Sequence, residues 1–239
     1  MFDLKSLLST AAANVSFLLV CLLVFLALVL IAKLAETRLL DFRPKWDARR
    51  ISFIAIFAAM AAILMYFEFS LPFAPPFYQI DLSEVPVLIC SFSLGPVAGV
   101  TCELLKIILK LFLKGTSTAF VGDFANFVIG CTFLLPASFF YYRRKSKKNA
   151  ITGMAVGTVV MTTFGSFFNA IYLIPAFSRL YEMPIEVIVG MGTDINAAIT
   201  SVTTLVLFAV VPFNLLKGVI QSILTYLLYK RIERLLRLR

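Results

Sequence analysis

The run 150–178, AITGMAVGTVVMTTFGSFFNAIYLIPAFS, contains no ionised side chain and decides the class of fold. A helix needs about 20 apolar residues to cross the roughly 30 Å hydrocarbon core of a bilayer. Further uncharged runs lie at 15–32, 51–67 and 85–102. Because backbone amides in lipid must be hydrogen-bonded within the protein, these runs predict an all-α integral membrane protein.

Positive charge is concentrated beside the apolar runs. The net charge is +9, while 61% of the residues are hydrophobic and 15% are charged. Lys and Arg cluster at 33–50, 143–148 and 230–239. Such clusters mark the cytoplasmic loops of membrane proteins. We therefore predict three cytoplasmic segments, including the C-terminus, in a multi-pass protein of the cell membrane, and no nucleic-acid partner.

The cytoplasmic segments restrict the topology, because the chain must cross the bilayer an even number of times between them. The first two clusters enclose four predicted spans, at about 51–69, 83–95, 98–113 and 120–142. Residues 95–99 are predicted to form an inner turn. The proline-rich segment 71–82 is predicted to be a stiff outer loop.

In the last third of the chain, a helix is expected to run outward from residue 150 and to end at Pro175. After an outer loop, a short outer or re-entrant segment is expected at 195–209. The last span, at about 212–231, then begins at Pro212, since proline suits the first turn of a helix.

The run 15–32 predicts an additional helix with its N-terminus outside. A signal peptide carries basic residues before its apolar run, whereas here only Lys5 precedes the run and several basic residues follow it. Residues 1–50 are therefore predicted to be an added transmembrane helix with a basic cytoplasmic linker. Residues 51–239 are predicted to be a six-helix membrane domain.

Several kinds of chemistry lack their residues in this sequence. It has no histidine, and its four cysteines lie in apolar segments without the close pairing of a zinc site. It also has no GxxxxGK[ST] phosphate loop. We predict no catalytic residue, no metal site and no cofactor, and any ATP-driven role requires other chains.

Ionised side chains inside the predicted spans are candidate functional groups, because each costs about 2.5 to 3.5 kcal/mol on insertion scales. They are Glu103, Lys106, Lys110, Asp123 and Lys217. Glu103 can pair with Lys106 three residues later. For this helix, internal pairing or extension of Lys110 and Lys114 to the outer surface is favoured over ligand contact.

Lys217 follows Asn214 by three residues, so the two side chains share a helix face. An amide offers donors and an acceptor, and a lysine offers donors, which suits a planar heterocycle carrying carbonyls beside an N–H. Asn169 is a possible third contact. Extension of Lys217 to the surface and interhelical bonding of Asn214 are equally compatible with the residues.

The first predicted span of the domain carries small residues at helical spacing. They are Ala55, Ala58, Ala59 and Ala62. Small side chains let helices approach closely. The pattern fits either packing within the chain or docking on a separate membrane protein.

Four ordered motifs resemble the riboflavin-specific S components of energy-coupling-factor (ECF) transporters, over residues 51–232. They are LPF at 71–73 with DLSEVP at 81–86, LGPVAG at 94–99, GDFANF at 122–127 and PFNLLKG at 212–218. The resemblance implies a six-helix S component that binds riboflavin near its outer face as a transported ligand. It also implies a location in the bacterial plasma membrane and two kinds of partner, a transmembrane coupling protein and two ATPase subunits.

The resemblance also implies roles for individual residues. Asn169, Asn214 and Lys217 match ligand contacts of the family, and the loop containing Tyr78, Asp81 and Ser83 is expected to close over the ligand. The four alanines resemble the docking surface for the coupling protein.

Two features depart from the family pattern: Ile107, where a polar residue is frequent, and the added helix 15–32.

Alternative ligands are another vitamin or a related flavin such as FMN or roseoflavin. A third hypothesis is a membrane-embedded, lipid-modifying enzyme that uses Glu84, Glu103 or Asp123. An apolar-walled site favours the uncharged vitamin, because desolvating a phosphate is costly.

Overall fold

The structure is a computed structural model that describes residues 15–116 and 118–237. The predicted outer N-terminus and the last two residues of the basic C-terminal stretch lie outside the described residues. The helices are α1 (Val15–Leu34), α2 (Ala48–Tyr66), α3 (Glu84–Leu94), α4 (Pro96–Lys114), α5 (Val121–Arg143), α6 (Lys147–Phe168), α7 (Ile174–Leu180), α8 (Ile185–Thr193), α9 (Val202–Leu205) and α10 (Val211–Arg237).

Short elements complete the architecture. Three π-helical turns, Ala35–Leu39, Asn169–Leu173 and Val206–Val210, extend α1, join α6 to α7 and join α9 to α10. Strands β1 (Phe69–Ser70) and β2 (Gln79–Ile80) pair antiparallel, with Phe69 opposite Ile80.

Five described segments are long and apolar enough to cross a membrane, which confirms the predicted all-α membrane bundle. They are Leu19–Leu39, Ala48–Tyr66, Val121–Arg143, Lys147–Leu180 and Val202–Tyr229. Helix α3 has 11 residues and is therefore about 16 Å long, which is short beside about 30 Å of hydrocarbon. The segment predicted at 83–95 is thus an apolar helix of the bundle that is shorter than the other spans. Helix α4 has 19 residues but carries four charged side chains.

The bundle is held together by neighbouring helices that share an apolar core. Helix α4 packs against α2, α3 and α5, while α6 packs against α5 and α10. Fully buried members of this core include Leu88, Phe133, Leu134 and Met161. Helix α1 packs on the outside of the bundle, against α4 and α5. Most of its leucines remain exposed, as expected for a helix whose solvent is lipid.

The turn between α3 and α4 is tighter than the predicted turn at 95–99, because helix α4 already begins at Pro96. Only Gly95 lies between the two helices, with φ of 107°, a backbone conformation that favours glycine. A Cβ atom there would lie 2.6 Å from Glu36 Oε1 and from a ring atom of Phe42. The same Glu36 oxygen accepts the backbone N–H of Val97 at 2.9 Å, so the added segment caps α4.

Two prolines lie inside continuous helical segments, so the predicted helix end at Pro175 and the predicted helix start at Pro212 are wrong. Proline cannot donate the helical hydrogen bond, and its ring crowds the carbonyl four residues earlier. A π turn ends two residues before each proline, at Leu173 and at Val210. The wider turn shifts the carbonyl register, which lets the helix continue past the proline.

The last helical segment begins about ten residues before the span predicted at 212–231. Ser201 and Thr204 form a capping box that satisfies the first amides of α9, so the helix starts at Val202. It then runs through the π turn into α10. The separate outer or re-entrant segment predicted at 195–209 is therefore wrong, because residues 202–209 belong to the long final helix.

Candidate functional site

A cavity of about 320 Å³ lies at one end of the bundle, beside the loop between β1 and β2. This volume falls within the roughly 300–1,000 Å³ typical of small-molecule sites. Loop residues Pro76–Gln79, the first turns of α5, the π turn before α7 and the first turns of α10 supply most of the wall. The polar or charged lining residues are Glu68, Tyr78, Gln79, Lys110, Thr118, Asp123, Asn126, Asn169, Tyr181, Asn214 and Lys217.

Asn169 is held in the wall by two hydrogen bonds. Its Oδ1 accepts the hydroxyl of Tyr78 at 2.8 Å, and its Nδ2 donates to the carbonyl of Gly165 at 2.7 Å. Asn169 is the first residue of the π turn Asn169–Leu173 and is 2% exposed. Burial raises the pKa of Tyr78, so its hydroxyl remains a hydrogen-bond donor at neutral pH. The bond therefore joins the loop between β1 and β2 to the wall of the cavity.

Asn214 lies across from Gly165 on the first turns of α10. Its Nδ2 donates to the carbonyl of Val210 at 3.0 Å. A Cβ atom at Gly165 would lie 3.3 Å from the same nitrogen, so glycine makes room for the amide. Among the described residues, no donor is assigned to Asn214 Oδ1, and this oxygen is available to a ligand N–H.

Lys217 lines the same wall one turn further along α10, and its ammonium is 3.1 Å from Asp81 Oδ2. The backbone N–H of Ser83 donates to Asp81 Oδ1 at 2.7 Å, and Gln221 donates to the carbonyl of Asp81 at 3.2 Å. Burial of Asp81 opposes its ionisation, but the charges of Lys217 and Lys106 and the Ser83 hydrogen bond outweigh it and lower its pKa to about 2. Asp81 therefore stays a carboxylate.

The six predicted ligand residues therefore fall into two groups. Tyr78, Asn169, Asn214 and Lys217 line the cavity. Asp81 and Ser83 are buried outside its lining, where they hold Lys217 and the start of α3 in place.

The charged residues on α4 pair internally. Lys110 Nζ lies 2.6 Å from Asp123 Oδ1, and both residues line the cavity. Surface extension of Lys110 is thus contradicted by a buried ion pair. Lys106 lies 2.6 Å from Glu103, which confirms the predicted pairing, and 2.8 Å from Glu84.

Apart from Tyr78, the aromatic part of the wall was not predicted from the sequence. Phe77, Phe177, Tyr181 and Phe213 line the cavity, and Tyr78 lies 5.6 Å from Phe213 between ring centroids. Aromatic residues are frequent throughout this chain, at 14%, so composition could not select these four. Adjacency to a predicted residue was the available signal, because Phe213 adjoins Asn214 and Phe77 adjoins Tyr78.

The four alanines of α2 divide between two faces of the helix. Ala58 and Ala62 are buried, and Ala58 lies in the core of the bundle, whereas Ala55 and Ala59 are exposed. Close packing within the chain therefore occupies one pair, and the other pair is available to a partner.

The fold and the site together define a multi-pass membrane protein with a small-molecule cavity at one end of its bundle. The model of the family described as "ECF transporter, substrate-specific component" matches residues 49–229. The chain belongs to this family.

Relatives agree with this assignment over most of their length. The chain is 35% identical to the riboflavin transporter RibU of Staphylococcus aureus, covering 79% of this chain and 93% of the relative. It is 26% identical to the riboflavin transporter FmnP of Bacillus subtilis, covering 77% and 92%. A solved structure, described as the S component of a bacterial ECF transporter, is 35% identical with a TM-score of 0.61, covering 79% of this chain and 97% of that one.

Proposed function

We propose that this protein binds riboflavin in the cavity at the outer side of the membrane and mediates its uptake with a separate energy-coupling module. The observation that carries the proposal is the convergence of Asn169, Asn214 and Lys217 on one cavity, although they come from two distant parts of the chain. The names of the relatives, which are riboflavin transporters, support the choice of ligand.

The polar groups of the cavity suit one edge of the flavin ring. One edge of the isoalloxazine ring system carries an N–H flanked by two carbonyls, one on each side. Asn214 Oδ1 can accept that N–H, while the ammonium of Lys217 can donate to a carbonyl. The faces of Tyr78 and Phe213 supply an aromatic surface beside these groups, suited to contact with a planar ring.

The charges of the cavity favour an uncharged vitamin. Lys217 is compensated by Asp81, Lys110 by Asp123 and Glu68 by Lys114. The phosphate group of FMN would lose its hydration on entering the cavity, and these lysines are already paired with carboxylates. We therefore expect riboflavin to bind more tightly than FMN.

The protein itself performs no chemistry in this role, and energy comes from other chains. Because the sequence has no GxxxxGK[ST] loop, we assign ATP hydrolysis to two ATPase subunits, which act together with a transmembrane coupling protein. The exposed Ala55 and Ala59 are proposed as contacts for the coupling protein. The basic stretch 230–239, most of which belongs to the end of α10, supports a cytoplasmic C-terminus.

Quenching of riboflavin fluorescence by the purified chain tests the proposal. We expect saturable quenching at one flavin per chain. Replacing Lys217 alone would leave Asp81 buried and unpaired, so the test variant combines Lys217→Met with Asp81→Asn. This variant should remain folded and bind at least about tenfold more weakly, as expected for the loss of a charge-assisted hydrogen bond.

The matched control is Lys148→Met, which removes an exposed lysine outside the cavity. Its affinity should equal that of the parent chain. Absence of saturable quenching by the folded parent chain would refute the choice of riboflavin, and equal affinities of the double variant and the control would refute the proposed site.

A further inference from the structure

A second pocket, of about 430 Å³, lies at the other end of the bundle, where α2 begins and α3 and α5 end. Its lining residues are Lys45, Asp47, Arg49, Arg50, Phe53, Phe92, Ser93, Leu94, Tyr141 and Lys145. Four cationic side chains thus surround the pocket, against one carboxylate. The riboflavin proposal makes no use of this pocket.

Arg50 is the unusual member of this lining, because it is only 6% exposed although its side chain is charged. None of the described residues accepts a hydrogen bond from its Nε or Nη2. Its guanidinium carbon lies 4.8 Å from the ring centroid of Trp46. A cation–π contact compensates burial only in part, since the N–H groups of the fork remain unsatisfied.

The nearby acids are engaged elsewhere. Asp47 Oδ1 accepts the backbone N–H of Arg50 at 2.8 Å and thereby caps α2. Glu36 Oε1 accepts the backbone N–H of Val97 at 2.9 Å. Within the described part of the chain, neither acid forms an ion pair with the Arg50 guanidinium. The charges of Glu36 and Asp47 attract the guanidinium from beyond ion-pair distance, but its buried Nε and Nη2 groups still have no acceptor among the described residues, which favours an external anion as their partner.

The remaining groups define the chemistry of that anion. Ser93 lines the pocket, and its Oγ has no hydrogen-bond partner among the described residues. A guanidinium fork, a hydroxyl and further cations together match the oxygens of a phosphate group. Trp46 is 52% exposed beside Arg50, and exposed tryptophan is enriched at the level of the lipid headgroups.

We propose that this pocket binds a phosphate group, with Arg50 as its central ligand. Anionic phospholipid headgroups present such groups at the membrane surface, and basic pockets between helices bind them. Free inorganic phosphate offers the same oxygens. The basic linker that precedes α2 thus contributes Lys45 to a binding site and does more than orient the chain.

Native mass spectrometry of the delipidated full chain tests the proposal and distinguishes the two sources. Phosphatidylglycerol, phosphatidylcholine and inorganic phosphate are added separately. A lipid site predicts retained phosphatidylglycerol and little phosphatidylcholine, whereas a free-anion site predicts that inorganic phosphate binds and competes the lipid away. In either case, Arg50→Gln should weaken binding about tenfold, as expected when a charge-assisted hydrogen bond is lost.

The matched control is Arg43→Gln, which removes the same charge from an exposed side chain of the same linker. It should bind as the parent chain does. Circular dichroism and gel filtration establish that both variants are folded, and Ser93→Ala provides an uncharged second variant, expected to weaken binding about threefold. Equal binding by the folded Arg50→Gln and Arg43→Gln variants, or no binding of either phosphate source by the parent chain, overturns the proposal.

Discussion

The ammonium of Lys217 lies 3.1 Å from the carboxylate of Asp81, a residue 136 positions earlier in the sequence. This ion pair joins the wall of the cavity to the segment that follows β2. A ligand carbonyl that accepts a hydrogen bond from Lys217 must share the ammonium with Asp81. In the proposed binding mode, ligand binding and the position of the segment after β2 are therefore linked through one side chain.

Tyr78→Phe is expected to speed the release of riboflavin. The substitution removes the hydroxyl that donates to Asn169 Oδ1 at 2.8 Å and holds the outer loop against the wall. A neutral hydrogen bond contributes about 0.5 to 1.5 kcal/mol, so the dissociation rate should rise about two- to tenfold. Stopped-flow recovery of flavin fluorescence measures this rate. Tyr66→Phe, at an exposed tyrosine of α2, serves as the control, and identical rates in the two variants would contradict the proposed role of the loop.

Gly165→Ala is expected to weaken binding without unfolding the protein. The added methyl group would lie 3.3 Å from Asn214 Nδ2, so the amide must move by a few tenths of an ångström. Alanine is also a better helix former than glycine, which offsets the crowding in the folded state. Titration by fluorescence quenching should show a weaker affinity for riboflavin and an unchanged thermal midpoint in its absence. Gly190→Ala is the control, because its methyl group would meet nothing within 4 Å. Equal affinities would contradict the expectation that binding depends on the position of the Asn214 amide.

The Asp81–Lys217 pair is expected to contribute stability above about pH 4 and to lose it in stronger acid. The pKa of Asp81 is lowered to about 2 in the folded chain, below the ordinary value of about 3.9. A lowered pKa means that the folded state favours the charged form, so stability falls as pH drops from about 4 towards 2. Asp81→Asn should lower the thermal midpoint at pH 7, and the difference from the parent should shrink below pH 4. A difference that is constant from pH 7 to pH 3 would argue against this pair.

Substitutions on the exposed face of α2 are expected to separate binding from transport. Ala55→Leu with Ala59→Leu should leave riboflavin affinity unchanged and reduce assembly with the coupling protein, since large side chains prevent close helix approach. Co-purification of the complex and uptake of labelled riboflavin measure these effects. The comparison variant is Ala58→Leu, which inserts the same side chain into the core and should lower stability by about 1 to 3 kcal/mol. Normal assembly of the double variant would place the docking surface elsewhere.

The sequence by itself determined the membrane class, the approximate helices and one face of the site. Long uncharged runs permit only helices in lipid, and the spacing of Asn214 and Lys217 places them on one side of α10 whatever the remaining fold. The i, i+3 pair of Glu103 and Lys106 was predictable for the same reason. These features are local, so a few neighbouring residues specify them.

The tertiary structure alone decided which distant residues meet. Asp81 became the partner of Lys217, and Asp123 the partner of Lys110, because folding buried each cation beside a carboxylate from another segment. The π turns before Pro175 and Pro212 likewise depend on the helix continuing, which local propensity alone would not predict. The packing of α2 against the bundle determines that Ala58 and Ala62 are buried while Ala55 and Ala59 are exposed. Long-range burial and charge compensation decide such contacts, and sequence spacing carries no direct information about them.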